Sequence, residues 1–423
     1  MTRARGPAGA AGARAGRRGQ AAGVRVGVFG LLGSGNLGND GSLEALLGHL
    51  RAARPEAVVD ALCGGPEAVT ARYGIPATRL HWFRGEYRTA SRAGAIAGKG
   101  LGKLVDAFRT AAWVRRHDVV VVPGMGVLEA TLPLRPWGFP YALFLLCASG
   151  RLLGVPVALV GVGAAPIGER ATRTLVRWSG RLAAHRSYRD AASREAMRAM
   201  GVDTARDAVH PDLAFALPAP PPVPAAPGTV CVGVMDFHGG NDDRAEAGEI
   251  HRRYVEGTTR FVGALAAEGR PVRLLTGDGA DTAVVEAILR AVDSPLVTAA
   301  GAASLAELTA EAAAADAVVA TRYHNLVCAL KAGTPTLALS YAAKSDALMA
   351  ERGLGAYCHP ARAVDADRLL AQFRELEKDA DGLRRTLADR NRDAARRLDD
   401  HLTALTAALF PASASASIPR ETP

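Results

Sequence analysis

Aromatic residues make up only 5% of this chain, and the Arg-rich stretches contain almost none. A protein that binds single-stranded nucleic acid needs aromatic faces interleaved with its cations, so that class is excluded. The five cysteines, Cys63, Cys147, Cys231, Cys328 and Cys358, show no C-x-x-C or zinc spacing. Their odd number and scatter argue against a disulfide framework and fit a reducing compartment. No G-x-S-x-G nucleophile elbow occurs, and no His/Cys/Asp grouping has metal-ligand spacing, so no metal is expected. No apolar run is long enough to cross a bilayer. Residues 141–167 come nearest, but Arg151, Gly154 and Pro156 split them into a helix and a strand.

Acid is missing from the first 20 residues, which hold Arg3, Arg5, Arg14, Arg17 and Arg18. Without them the net charge falls from +9 to +4, so the basic balance is partly a property of this segment. Residues 1–23 are expected to be a disordered basic tail with too little apolar mass to dock. Its functional reading is weak attraction to an anionic membrane surface; its plain reading is a low-complexity extension. Arg17-Arg18 resembles a twin-arginine signal, but the next apolar run, broken by Arg25, fits better as the first strand.

What is present is an alternation of buried strands and helices. Val24–Gly30, Val58–Leu62, Val119–Val122 and Val155–Val162 are near-continuous apolar runs, with helices expected over 42–51 and 142–150. Residues 84–105 are expected to be a mobile loop or frayed helix. The proline-rich run beginning at Leu217 cannot join a sheet. After it the pattern restarts with strands over 230–235, 272–275, 317–320 and 336–340. Parallel sheets covered on both faces follow from such strands. The expected fold class is α/β, with two Rossmann-like domains and an interdomain cleft. Residues 24–216 form the first domain, 217–228 the linker, 229–410 the second domain and 411–423 a loose end.

Residues 321–355, TRYHNLVCALKAGTPTLALSYAAKSDALMAERGLG, carry the most chemistry. Arg322 and His324 fall where one strand ends and a helix begins. Gly333 closes that helix and Pro335 prevents its continuation. Tyr341 and Lys344 occupy the exit of the next strand. Guanidinium, imidazole and ammonium thus gather at the carboxyl edge of a parallel sheet, where ligands bind, and they suit a carboxylate or phosphate. Either Arg322 or His324 alone could be a structural salt-bridge or core residue; the grouping favours function.

This pattern resembles the polysaccharide pyruvyl transferase family. The carriers are Arg322-Tyr-His324, Gly333-Thr-Pro335, Tyr341-Ala-Ala-Lys344 and Gly353-Leu354. Upstream, Gly35-Asn36-Leu37-Gly38-Asn39-Asp40 resembles the family's Gly-Asn-x-Gly-Asp loop with Asn39 inserted, and Gly124-Met125-Gly126 stands where three glycines are usual. Arg189-Asp190 with Ser193, and Pro211-Asp212, also match. The resemblance implies a glycosyltransferase-B-like architecture and transfer of the pyruvyl unit of phosphoenolpyruvate, as co-substrate and with no further cofactor, to two hydroxyls of a sugar. It implies His324 as acid/base, Arg322, Lys344, Arg189 and Tyr341 on the donor side, and Gly35, Asn36, Asp40, Gly124 and Gly126 on the acceptor side. The implied setting is the cytoplasm or the inner membrane face. A polymer, a lipid-linked intermediate and a small glycoside stay open as acceptors, and so does the oligomeric state.

Three readings compete at the amino-terminal loop. Gly33-Ser-Gly35-Asn-Leu-Gly38, with Asp60 about 20 residues on, matches a dinucleotide fingerprint. Asp40 is either a helix cap or an acceptor contact. A sugar-nucleotide glycosyltransferase remains the alternative to pyruvyl transfer, since a cationic cleft also suits a diphosphate. His210 could assist chemistry beside a capping Asp212, and Arg189 could be a surface residue paired with Asp190. Asp365-Ala-Asp367 and Asp379-Ala-Asp381 are expected on solvated helical faces.

Overall fold

The computed structural model describes residues 23–82, 92–129, 136–219, 224, 226–240 and 243–410, with side chains from residue 100 in the helix that starts at 92. The expectations for the arginine-rich tail, the carboxyl end, residues 84–91 of the expected loop, and residues 220–223 and 225 of the proline run fall outside these residues.

Two parallel sheets organise the chain. The first has seven strands: β1 (Arg25–Gly30), β2 (Val58–Cys63), β3 (Ala77–Arg79), β4 (Val119–Pro123), β5 (Val157–Val162), β6 (His185–Tyr188) and β7 (Ala208–Val209), in the order β3-β2-β1-β4-β5-β6-β7. The second has six: β8 (Val230–Gly233), β9 (Val272–Leu275), β10 (Val297–Ala299), β11 (Ala317–Ala320), β12 (Thr336–Ser340) and β13 (Cys358–Pro360), in the order β10-β9-β8-β11-β12-β13. The helices between them are α1 (Leu37–Ala53), α2 (Pro66–Tyr73), α3 (Arg92–Val114), α4 (Phe139–Leu153), α5 (Arg170–Leu182) and α6 (Ala191–Ala199) in the first half. The second half adds α7 (Ala247–Ala267), α8 (Thr282–Val292), α9 (Leu305–Ala314), α10 (Tyr323–Ala332), α11 (Ala343–Glu351), α12 (Ala366–Lys378) and α13 (Ala380–Leu409). Every strand pair is parallel, as runs such as Val119–Val122, buried on both faces, require. In each sheet the strand order reverses beside the first strand, at β1/β4 and at β8/β11. Crevices at the carboxyl ends of strands open at such points.

Two sequence expectations change. Helix α1 begins at Leu37 rather than about residue 42, because Asn36 caps it and Gly38 and Gly41 lie inside it. Residues 92–114 form one helix where a loop or frayed helix was expected. Its first half is glycine-rich, but Trp113 and Val114 anchor its end in the core. The aspartates of both Asp-x-Asp pairs are exposed at helix starts, in line with the expected solvated faces, and Asp365 accepts from the amides of Asp367 and Arg368. No described helix is long and apolar enough to cross a membrane.

Helix α13 spans both halves. Asn391 donates to Leu330 and Lys331 carbonyls of the second half, while His49 meets Thr406 and Arg54 donates to the Phe410 carbonyl in the first. The short helical turn Leu213–Ala216 is held from the second half as well. Lys331 donates to the carbonyls of Phe215 and Leu217, and the buried Arg352 guanidinium lies 3.9 Å from the Phe215 ring centroid. These contacts fix one half against the other and set the cleft.

Candidate active site between the two sheets

Strand exits of both sheets converge on the cleft, among them those of β1, β4 and β6 in the first sheet and β8, β9, β11 and β12 in the second. The halves meet through backbone. Leu37 N donates to Gly277 O at 3.1 Å, and the Asn36 amide donates to Asp278 Oδ2 at 3.1 Å while its Oδ1 caps α1 by accepting from Asn39 N. Gly38 and Gly41, one turn apart on α1, face the second half. A Cβ at Gly38 would lie 1.9 Å from His324 Nδ1, and one at Gly41 would lie 2.1 Å from Leu305 Cδ1. Glycine at both positions is what lets α1 touch α9 and α10.

His324 occupies the first turn of α10. Arg322 is the N-cap residue but makes no side-chain cap, so its guanidinium is free for other work. The His324 ring is largely buried. Its Nε2 lies 3.9 Å from Asp212 Oδ2 and has no hydrogen-bond partner among the described residues. Burial pushes the imidazole down to about 4, and the nearby Arg189 and Lys344 charges act in the same direction against the attraction of Asp212. The ring is therefore neutral at neutral pH.

Behind His324 lies an ion network that the sequence reading only half contained. Glu129, just past β4, accepts from Arg189 Nη2 at 2.6 Å and from Lys344 Nζ at 2.7 Å. Burial opposes its charge, but the two cations outweigh burial and hold the carboxyl at about 2. Lys344 is raised on the same balance, burial opposing and Glu129 prevailing. The Arg189 guanidinium also reaches Asp212 at 3.4 Å and lies 4.3 Å from the Tyr323 ring centroid. Gly126 and Gly163 leave the room this network needs. A Cβ at Gly126 would lie 2.8 Å from the Glu129 carboxyl carbon, and one at Gly163 would lie 2.5 Å from both Arg189 Nη2 and Glu129 Oε1. Gly124 and Met125 turn the chain with positive φ.

Arg322 is anchored differently. Its Nε and Nη2 engage the fully buried Asp281, with Nη2–Oδ1 at 2.6 Å. Asp281 also accepts from the amides of Asp236, Gly277 and Asp278. The ion pair outweighs burial and raises the guanidinium. Nη1 has no partner among the described residues. Side-chain exposure separates the cations: 20% for Arg322, 18% for Lys344 and 2% for Arg189. The first two can reach a ligand in the cleft. Arg189 is neither a surface residue nor presented to solvent, and it acts through Glu129, Asp212 and Tyr323. Tyr341 lies under Lys344, 5.4 Å from ring centroid to Nζ.

Other candidate residues resolve as follows. Asp40 does not cap α1. It accepts from Gly33 N at 2.7 Å and so ties the β1 exit loop to the helix, its carboxyl raised by burial. Gly35 has φ +92°, and a Cβ there would meet nothing within 4 Å, so its requirement is conformational. His210 is buried away from the cleft, bonded to Ser187 and stacked 3.8 Å from His401. Asp212 does cap, accepting from Ala214 N. Asp60, the carboxylate of the dinucleotide fingerprint, is taken by Trp113 Nε1 at 2.7 Å and His117 Nε2 at 2.9 Å. With Gly38 packed on His324, that reading loses both its acid and its open glycine. The expectation that no metal-type grouping exists needs correction. Asp236, His238 and His251 bring three ligand atoms within 4.8 Å of one another on the rim beyond β8. The spacing hid it because His251 comes from α7. Both rings already hydrogen-bond or pair with Asp236 at 2.9 and 3.4 Å, so the arrangement is satisfied without an ion.

The fold defines a two-domain, glycosyltransferase-B-like protein. The family model of the polysaccharide pyruvyl transferases matches residues 36–342, most of the chain, and the protein belongs to that family. No curated protein matches it in sequence. Among solved structures it resembles the UDP-GlcNAc 2-epimerase of Neisseria meningitidis bound to UDP-GlcNAc (TM-score 0.57, 11% identity, 90% of this chain and 99% of that one). It also resembles MurG of Acinetobacter baumannii (0.52, 14%, 90% and 99%) and HepE of Anabaena in complex with UDP-glucose (0.54, 12%, 90% and 99%). At these identities the likeness concerns the fold.

Proposed function

We propose that the protein transfers the pyruvyl group of phosphoenolpyruvate to two hydroxyls of a sugar residue, forming a cyclic ketal and releasing phosphate, on the cytoplasmic side of the cell. One sugar oxygen adds to C2 of the donor and C3 takes a proton to become methyl. The C2–O bond to phosphate then breaks, and the second sugar oxygen adds to C2. Of the two hydroxyl protons, one is balanced by C3 and the other by the departing phosphate. The observation that carries this reading is the unpartnered Nε2 of a neutral His324 beside the paired cations of the cleft. A neutral imidazole is a base first: it takes the hydroxyl proton and can then return it as an acid. Arg322, through Nη1, and Lys344 supply the charge that holds phosphate and carboxylate through the addition. Arg189 and Glu129 position Lys344. Asn36, Gly35 and the Asp40-braced loop form the opposite, sugar-facing wall.

A sugar-nucleotide transferase is the competing reading. UDP-sugar complexes among the structural relatives favour it, but one fold hosts many chemistries. Incubating the protein separately with phosphoenolpyruvate and with UDP-sugars, each with cell-derived glycan fractions, decides between them. Acceptor-dependent phosphate release from phosphoenolpyruvate and a pyruvate mass increment on the glycan are expected. Transfer from a UDP-sugar with no reaction of phosphoenolpyruvate would overturn the proposal.

A further inference from the structure

Helix α3 is amphipathic in the wrong sense for a helix packed only against its own sheet. Gly102, Asp106, Thr110 and Trp113 face inward, while Leu101, Leu104 and Phe108 face solvent, 56%, 61% and 78% exposed. The inward Asp106 is satisfied by the Trp82 amide and His81, which is how a carboxylate tolerates that side. The outward stripe continues onto α4. Leu152 is 86% exposed, and a cavity of about 620 Å³ is walled by Phe108, Ala111, Ala112, Leu153, Arg25, Arg115 and Arg116. Arg115, Arg116 and Arg151 are exposed without ion-pair partners among the described residues, and Arg25 Nε is buried with no hydrogen-bond partner. Asp118 is the acid nearby, and its Oδ2 accepts from the Arg25 amide.

We infer that the α3–α4 face docks on an anionic lipid bilayer. Protruding Leu and Phe side chains flanked at the carboxyl ends of α3 and α4 by arginine, with Trp137 63% exposed just before α4, are the chemistry of an interfacial helix: apolar burial at the acyl boundary plus attraction to acidic headgroups. A second copy on the same face would bring arginines against arginines, which disfavours a symmetric pair. The inference does not depend on which reaction the cleft performs, because the face lies on α3 and α4 and its cavity at the amino ends of the strands.

The test is flotation of the full chain with phosphatidylcholine vesicles, with and without phosphatidylglycerol, at low and high salt. Binding is expected only with phosphatidylglycerol and should weaken in salt. The pair Phe108→Glu/Leu152→Glu and the pair Arg115→Glu/Arg116→Glu each should reduce binding about tenfold or more, with unchanged circular dichroism and melting because these side chains are exposed. Retained binding in Phe108→Glu/Leu152→Glu would assign attraction to the arginine-rich segment alone and overturn the proposal. Failure of the wild-type chain to float overturns it too, as does a dimer in light scattering that Phe108→Glu/Leu152→Glu dissolves.

Discussion

His324 and Gly38 meet across the cleft, and that one contact joins packing to chemistry. Gly38→Ala should be stabilising on helix propensity alone, by about 1 kcal/mol. The structure predicts the opposite, because the new methyl must displace the imidazole, an overpacking cost of about 1–3 kcal/mol. Turnover should fall with donor affinity little changed; a more stable, fully active Gly38→Ala protein would remove His324 from this position. Arg322 calls for a gentler substitution than alanine. Arg322→Ala leaves the fully buried Asp281 charge without its guanidinium, so lost stability would be confused with lost binding. Arg322→Lys keeps the charge and loses the fork. Calorimetry should show weaker phosphoenolpyruvate binding with only a modest shift in melting temperature. Glu129→Gln should cost about 3–5 kcal/mol, since it removes the buried carboxylate that Arg189 and Lys344 share, leaving Lys344 without its ion pair and Arg189 with the longer contact to Asp212 at 3.4 Å; chemical denaturation measures it.

At the scale of elements, α9, β11, α10 and β12 were legible almost to the residue. Ser304 caps α9, Gly333 ends α10 in the left-handed conformation and Pro335 forbids its extension. Helix α1 was misread because glycines in a first turn look like loop until their neighbours are known, and those neighbours, His324 and Leu305, are remote in the chain. Glu129 escaped for a similar reason. A single acid after Gly-x-Gly has no pattern, and its partners come from β6 and α11. The short strands β3, β7, β10 and β13 carry too few residues for periodicity. The seat of α13 has its own titration signature. His401 and His210, stacked and sharing the Ser187 hydroxyl, are pushed down by burial to about 3 and about 4, and His185 is lowered too. Folded-state values below the ordinary 6.5 mean that the unfolded chain binds more protons in that interval. Stability should therefore be full above about 6.5 and fall as pH drops from there toward about 3. Replacing His401 with Phe, which keeps the stack, should flatten that acid limb in melting curves; an unchanged limb would place the titration elsewhere.

For the molecule as a whole, the two-sheet plan and the gathering of cations at a carboxyl edge follow from apolar strands alternating with helices and from the residues at their exits; the strand order does not. The way the halves lock does not. It depends on Lys331 and Arg352 clamping the turn at Leu213–Ala216 and on α13 crossing between halves, contacts that no local pattern announces. Deleting residues 1–20 should leave melting temperature and turnover in solution unchanged, because that segment has almost no apolar mass to dock. A markedly lower melting temperature would show it to be part of the structure.

The central claim is that His324 is the base of a phosphoenolpyruvate-dependent reaction in the cleft. The direct measurement is phosphate release by the wild type and by His324→Gln, with phosphoenolpyruvate and a glycan fraction that accepts pyruvate, beside calorimetric donor binding for both. The account predicts near-normal donor affinity in His324→Gln and turnover lower by roughly 100- to 10,000-fold, with the imidazole's limb gone from the pH–rate profile. Near-normal turnover in a folded His324→Gln protein would contradict it and return His324 to the status of a packed cleft residue.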